Sequence, residues 1–80
     1  MAVLVLFAAA RQAAGTGRDE LPGATVGEVL DAACQRYGLT FAEVLANSRV
    51  WVNGAPAERE EPVQSVDEVA VLPPVSGGSH

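Results

Sequence analysis

The stretch Val69-Ala70-Val71-Leu72-Pro73-Pro74-Val75-Ser76-Gly77-Gly78 organises the rest of this 80-residue chain. Its apolar first part is typical of a strand, and the two prolines then end the strand because proline has no backbone N–H to donate to a sheet. Consecutive prolines also favour a stiff, extended backbone. Gly77 and Gly78 add no side chains, so the segment from Pro73 could present a thin tip roughly 20 Å from the body. The alternative is an ordinary frayed terminus.

Composition limits the classes of function. The net charge is −5, and the five basic residues are scattered arginines, namely Arg11, Arg18, Arg36, Arg49 and Arg59. Nucleic acid and anionic lipid both require clustered basic residues, so we expect neither a nucleic-acid partner nor a membrane partner. An acidic chain is expected instead to meet a basic protein partner.

Cysteine usage and the first ten residues limit the location. Cys34 is the only cysteine, so no intramolecular disulfide can form, and one cysteine with one histidine cannot build a cysteine-based zinc site. We therefore expect no bound metal and a cytoplasmic protein. Residues 1–10 are apolar, but they lack a basic start and are too short to span a bilayer. We interpret them as the first strand.

The first half of the chain predicts two strands and a helix. The unbroken apolar run at residues 2–8 indicates a central strand that is covered on both faces. A short helical turn over residues 9–14 and a strand over residues 18–21 follow. Thr25 and Glu28 form a capping box that begins a helix with one apolar stripe, and Gly38 is placed to end it.

The second half predicts a short helix, a hairpin and the last strand. Thr40 and Glu43 repeat the capping-box spacing before a helix that stops near Asn47. A strand over residues 49–52 then meets Asn53-Gly54, a strong type I′ hairpin signal, and Pro56 makes the returning strand short or places it at an edge. A polar connection leads to a final strand over residues 68–72.

This order of elements predicts the α+β class. The long apolar first and last strands are expected to pair in parallel at the centre of a mixed sheet of four to five strands. One main helix and a short second helix complete the β-grasp, or ubiquitin-like, arrangement. We expect residues 1–74 to form this domain and residues 75–80 to form a flexible tail.

Several stretches together resemble the small subunit of molybdopterin synthase, and the resemblance covers residues 2–78. The specific part is the ending, because Pro-Pro-Val-x-Gly-Gly after such a strand is much rarer than Gly-Gly alone. Thiamine-thiazole sulfur carriers share the fold and the Gly-Gly but usually lack the two prolines. The residues that carry the resemblance are Val3-Leu4-Val5-Leu6-Phe7-Ala8, Arg11, Gly15-Thr16, Val52-Asn53 and Asp67 through Gly78.

The resemblance implies sulfur-carrier chemistry at Gly78. An E1-like adenylating enzyme that uses ATP and Mg²⁺ would activate the glycine carboxylate, and sulfur would replace one oxygen to give a thiocarboxylate. The tail, formed by Pro73, Pro74, Val75, Ser76 and Gly77 before Gly78, would then enter the large synthase subunit and deliver sulfur to a pterin precursor. The resemblance implies that the small protein binds no cofactor and is not catalytic alone, so catalytic groups are expected on the partners.

The resemblance also implies a partner-facing surface. Phe7, Pro56 and Leu72 match positions where the family places apolar groups towards the large subunit, and Arg11 is a candidate anchor. For Phe7 and Leu72 the alternative is a place in the core. Pro56 stands where a larger aliphatic residue is common. Val66 occupies a turn position where the family often has glycine, and a β-branched residue there disfavours a positive φ.

Ser79 and His80 depart from the family ending, because they leave Gly78 with an amide where the chemistry needs a free carboxylate. They are an artificial addition, or a natural extension that a tail-processing protease removes, or a sign that only the fold is shared. The body of the sequence also leaves open a carrier for thiamine, cysteine or a secondary metabolite, a ubiquitin-like modifier, and a non-catalytic interaction domain.

Other residues have plainer interpretations. Trp51 is expected to pack in the core or on a half-exposed strand. Cys34 is expected to be a small core residue rather than a persulfide carrier. Glu58, Glu60 and Glu61 form an acidic cluster that is either a solvated loop or a docking surface for a basic partner.

Overall fold

The computed structural model describes residues 1–74, which form one mixed sheet with helices packed against it. The order of elements is β1 (Ala2–Leu6), α1 (Ala8–Ala14), β2 (Arg18–Leu21), α2 (Val26–Tyr37), α3 (Leu39–Ala46), β3 (Arg49–Val52), β4 (Ala55–Pro56) and β5 (Glu68–Leu72). Among these helices, none combines the length and the apolar character that crossing a membrane would require.

The sheet has the strand order β2-β1-β5-β3-β4, so the first and last strands are neighbours at its centre. They run parallel, with Leu4 opposite Val69 and Leu6 opposite Val71. β2 and β3 flank this pair in antiparallel orientation. The predicted central pairing and the β-grasp arrangement are therefore confirmed, and the short helical turn predicted over residues 9–14 is the helix α1.

The helices cover only one face of the sheet. Along β1 the burial alternates: Leu4 and Leu6 are 0% and 2% exposed, whereas Val3 and Val5 are only half-buried. The expectation that β1 is covered on both faces is wrong. The apolar run does not alternate because the uncovered face of β1 also carries valines, and we call this face the open face.

The predicted start of α2 is confirmed. The Thr25 hydroxyl accepts a hydrogen bond from the Glu28 N–H at 3.2 Å, and the Val29 N–H donates to the Thr25 carbonyl at 3.1 Å. The Glu28 carboxylate accepts from the N–H of Ala24, one residue before the cap, at 2.8 Å. Together these bonds satisfy part of the helix end that would otherwise lack partners.

The second predicted capping box is wrong. α3 begins at Leu39, directly after Gly38, and no side chain caps it. Thr40 therefore lies inside the first turn instead of preceding it. Gly38 has a φ of 94° and serves as both the end of α2 and the start of α3. Since the two helices meet at this one residue, no extended position is left for a threonine cap.

The hairpin prediction is confirmed, with positive φ at both turn residues: 50° at Asn53 and 86° at Gly54. Asn53 also ties the turn to β5, because its side-chain amide donates to an Asp67 carboxylate oxygen at 3.0 Å and its carbonyl accepts from the Glu68 N–H at 3.0 Å. Val66 does not adopt a positive φ; within residues 1–74 the non-glycine residues that do are Ala8 and Asn53.

Candidate functional site

The candidate site starts where β1 and β5 end. Because these strands are parallel, their carboxyl ends lie at the same edge of the sheet. Leu6 pairs with Val71, so Phe7 follows at the level of Leu72, and Pro73 and Pro74 continue from there. We call this the tail edge, defined by Phe7, Leu72, Pro73 and Pro74.

The tail edge exposes apolar groups. Phe7 is 46% exposed and therefore lies outside the core. Leu72 and Pro73 are half-buried, and Pro74 is exposed. The partner-facing role of these residues stays a prediction, but their positions are compatible with it. The tail residues predicted to carry the chemistry, Val75, Ser76, Gly77 and Gly78, lie outside the described part of the chain.

A row of mainly apolar side chains crosses the open face and reaches Pro56. Val5 pairs with Ala70, Ala70 pairs with Trp51, and Trp51 pairs with Pro56. Residues opposite one another in a sheet project to the same side, so these four share the open face. Pro56 is exposed on the edge strand β4, as its proline character predicted.

Trp51 is the member of this row whose place the sequence interpretation did not resolve. It is half-buried, but it lies on the open face and not in the core. The alternation along β3 carried the signal, since Val50 and Val52 contribute to the core and Trp51 lies between them. A period of two then places Trp51 on the opposite face.

Two shallow grooves border the tail edge. The first has a volume of about 280 Å³ and is lined by Asn47, Arg49, Trp51, Leu72, Pro73 and Pro74. The second has a volume of about 530 Å³ and includes Val5, Phe7, Arg11, Gly17 and Arg18. In the second groove the Arg11 side chain lies against Gly17, where an added Cβ would be 3.3 Å from the guanidinium Nε. The candidate anchor Arg11 is thus beside Phe7.

The tail edge is locally basic although the chain is acidic. Arg11, Arg18 and Arg49 are all exposed in or beside the two grooves. Arg18 approaches Glu68 at 3.9 Å, but both side chains are more than half exposed, so water screens this pair. The local charge at this edge is therefore opposite to the net charge from which a basic partner was expected.

The other two arginines are engaged away from the tail edge. Arg36 pairs with Asp19 at 3.3 Å, and Arg59 pairs with Asp31 at 2.9 Å. Both pairs involve residues of α2 or its neighbouring loop and strand. They attach β2 and the loop after β4 to that helix, and we assign them to stability.

The described groups with shifted pKa values are also remote from the tail edge. The Tyr37 hydroxyl donates to Asp19 and holds the pKa of that carboxyl below its ordinary value, while burial and the same bond raise the pKa of Tyr37 to about 12. The Gln64 N–H lowers the pKa of Asp67, and burial raises the pKa of the Cys34 thiol. Within residues 1–74, the tail edge therefore presents apolar and cationic groups and no shifted acid or base.

The chain is similar to known proteins over nearly its whole length. The family model of the ThiS family matches residues 4–78. The molybdopterin synthase sulfur carrier subunit of Anopheles gambiae is 35% identical, and the alignment covers 94% of this chain and 89% of that protein.

Solved structures are similar over nearly the whole chain. The crystal structure of SAMP1 from Haloferax volcanii is 34% identical with a TM-score of 0.80, covering 95% of this chain and 97% of the other. The Amycolatopsis orientalis BexX/CysO complex contains a chain that is 25% identical with a TM-score of 0.82, covering 98% of this chain and 100% of that one.

Proposed function

This chain belongs to the ThiS family and is a sulfur carrier homologous to the small subunit of molybdopterin synthase, and we propose that it donates the sulfur of the molybdenum cofactor. The observation that carries the proposal is the match that extends through residue 78, joined to a fold that directs the chain out of the sheet beside exposed apolar groups. The Pro73-Pro74 pair and the 35% identity to a molybdopterin synthase carrier favour this pathway.

The first proposed step activates the tail. The Gly78 carboxylate attacks the α-phosphate of ATP on an E1-like adenylating enzyme with Mg²⁺, giving an acyl-adenylate and releasing pyrophosphate. A hydrosulfide equivalent then attacks the acyl carbon; the new C–S bond forms, the C–O bond to AMP breaks, and AMP leaves. The product is a thiocarboxylate at Gly78. Adenylation is needed because a free carboxylate has no good leaving group.

The second proposed step transfers the sulfur. In the large subunit, the thiocarboxylate sulfur attacks a carbon of the pterin precursor. The new C–S bond forms, a C–O bond at that carbon breaks, and the oxygen group leaves with the bonding electrons and takes up a proton. The product is a thioester that joins carrier and precursor. Water then attacks the acyl carbon, the C–S bond breaks, and the sulfur stays on the precursor. This hydrolysis regenerates the Gly78 carboxylate, so the carrier can be loaded again.

The carrier contributes presentation and leaves acid-base chemistry to its partners. Phe7 and Leu72 would contact the partner while the thin tail enters its active site, because glycine needs little space. Arg11, together with Pro56 on the outer strand β4, extends the same surface. Since activation uses ATP and the lone Cys34 forms no intramolecular disulfide, we propose a cytoplasmic location.

Ser79 and His80 enter the proposal as a processing step. Hydrolysis of the Gly78–Ser79 peptide bond by a protease would add water and release the glycine carboxylate. A chain that keeps these two residues would be inactive, because an amide carbonyl at Gly78 cannot accept AMP.

The test compares three forms of the chain in a strain that lacks the molybdopterin synthase small subunit. The forms are the full chain, a chain ending at Gly78, and a chain ending at Gly77. We expect the form ending at Gly78 to restore molybdoenzyme activity and to show, by intact mass, a fraction with sulfur in place of one oxygen. The form ending at Gly77 should restore nothing.

The outcomes separate the parts of the proposal. Activity from the full chain together with loss of Ser79 and His80 supports processing. A thiocarboxylate without molybdoenzyme activity would show that the carrier supplies sulfur to another pathway. The absence of any thiocarboxylate on the form ending at Gly78 would overturn the carrier function.

A second candidate is protein modification, which the likeness to SAMP1, a small archaeal modifier protein, favours. In that case Gly78 would form an isopeptide bond with a lysine on a target protein. This chain contains no lysine, so it could cap a target but could not build lysine-linked chains on itself. Target proteins that gain the mass of the carrier, and only when Gly78 is present, would identify this activity.

A further inference from the structure

We propose that Arg49 and Trp51 form a docking position for an acidic segment of the E1-like adenylating enzyme, the first protein that receives the tail. The inference rests on the proposed function, because it concerns the partner that binds while the tail reacts. We call this position the Arg49–Trp51 site.

The register of β3 brings the two side chains together at the root of the tail. Arg49 pairs with Leu72, and Trp51 pairs with Ala70, so both project from the open face two residues apart. Pro73 and Pro74 line the same groove, which has a volume of about 280 Å³. A side chain entering this groove would contact the indole, the proline rings and the guanidinium together.

The charge of Arg49 is available to an external carboxylate. Within residues 1–74 no ion pair involves Arg49, whereas Arg36 and Arg59 have carboxylates at 3.3 and 2.9 Å. The chain carries ten acidic residues, yet the structure places none of them among the residues that line this groove. A carboxylate of the partner could bind the guanidinium through two parallel hydrogen bonds.

Trp51 supplies the apolar part of the same contact. It is half-buried on a face that no helix of the described chain covers, and its cross-strand neighbours Ala70 and Pro56 are small or compact. The indole is therefore the largest apolar side chain in the row that crosses the open face. Tryptophan and arginine are the residues most enriched at positions that dominate binding energy in protein interfaces.

These features together define the partner. It presents an acidic side chain beside an apolar one at the entrance to the channel that takes the tail. The net charge of the whole chain favours a basic partner. The proposed partner is acidic instead, because it contacts the tail edge, where the local charge is positive.

The experiment uses the chain ending at Gly78 and, as the probe, the E1-like adenylating enzyme of the same organism. ATP–pyrophosphate exchange gives the KM for the carrier and kcat separately. The variants are Arg49→Gln, Arg49→Lys and Trp51→Ala, and the matched control is Arg59→Gln, which removes the same charge from a remote, exposed arginine. Thermal unfolding checks that every variant is folded.

We expect Arg49→Gln and Trp51→Ala to raise the KM about tenfold with kcat unchanged, as for interface anchors. Arg49→Lys should recover part of the loss, and Arg59→Gln should change the KM by less than about twofold. Added salt should raise the KM of the unchanged chain more than that of Arg49→Gln. Because Trp51 is the only tryptophan, fluorotryptophan labelling gives a fluorine NMR signal that should shift on binding.

Other outcomes overturn the inference. Equal effects of Arg49→Gln and Arg59→Gln would show a general charge effect, and unchanged KM values would show that the site is not used. A dimer that Arg49→Gln dissociates would assign the face to a second copy of the chain. If the unchanged chain supports no exchange, the proposed function fails instead, and calorimetric titration of the same enzyme with the variants then decides whether the docking site exists.

Discussion

The two edges of the sheet at which the strands begin and end differ in which groups bond within the chain and which are exposed. At the edge opposite the tail, which we call the loop edge, the N–H groups of Val26 and Gly27 donate to carbonyls of the loop after β4, those of Glu61 and Arg59, at 2.9 and 2.8 Å. Asn53 joins the hairpin to the start of β5 in the same region. The backbone N–H groups of Val26 and Gly27 are therefore satisfied within the chain.

The tail edge differs in its exposed side chains. Phe7 is exposed, and Arg49 has no ion pair within residues 1–74. The acidic cluster Glu58, Glu60 and Glu61 lies at the loop edge, whereas Arg11 and Arg18 lie at the tail edge. The loop edge therefore contributes bonds within the fold, whereas the tail edge exposes the groups for which we propose a partner.

The largest effect is expected when aspartate replaces the exposed apolar residue Phe7 at the tail edge; the same kind of change at the loop edge is the control. Phe7→Asp should weaken binding to the large synthase subunit on the order of 100-fold, because it removes the proposed apolar contact and places a carboxylate there that binding would desolvate. Val66→Asp, the same kind of change at a residue 81% exposed, is the control and should leave binding unchanged. Calorimetric titration measures both affinities. Equal losses of affinity would contradict the proposal that the partner binds at the tail edge.

A smaller effect is expected for stability at the loop edge. Thr25→Ala removes the acceptor for the Glu28 N–H and should lower the free energy of unfolding by about 1 kcal/mol. Thr25→Ser keeps an equivalent oxygen and should recover most of this loss. Urea unfolding measures the change, and the KM for the adenylating enzyme should stay constant. A raised KM in a folded Thr25→Ala chain would contradict the separation of roles.

The smallest effect concerns the pH dependence of the Asp19–Tyr37 contact. The lowered pKa of Asp19 means that its contribution to stability is present above the ordinary value of 3.8 and is lost as the pH falls through the lower folded-state value. The raised pKa of Tyr37 means that stability is present below pH 10 and is lost as the pH rises towards 12. Carrier activity near neutral pH should not follow either titration.

The single tyrosine makes this measurement direct. Tyrosinate absorbance should titrate with a midpoint of about 12, while circular dichroism monitors folding. Asp19→Asn removes the charge and should move the midpoint down towards the ordinary value, with burial preserving part of the shift. A midpoint that does not move would show that Asp19 is not the partner of Tyr37 in solution.

Local signals predicted most of the fold. The sequence predicted the Thr25 cap, the Asn53-Gly54 turn and the final strand, because the interactions that fix each of them span only a few residues. The parallel pairing of β1 and β5 followed from two long apolar strands in a small domain. The capping box predicted at Thr40 is wrong. The spacing to Glu43 fits a cap, but Gly38 already separates α2 from α3, so Thr40 lies inside the first turn of α3.

The sequence by itself determined the β-grasp order of elements, the edge position of Pro56 and the composition of the tail, since these depend on backbone preferences and short-range periodicity. Only the tertiary structure decided that one face stays open, that Trp51 lies on it, and that Arg11, Arg18 and Arg49 gather at the tail edge. Strand register brings together residues far apart in the chain, and neither composition nor local pattern specifies register between distant strands.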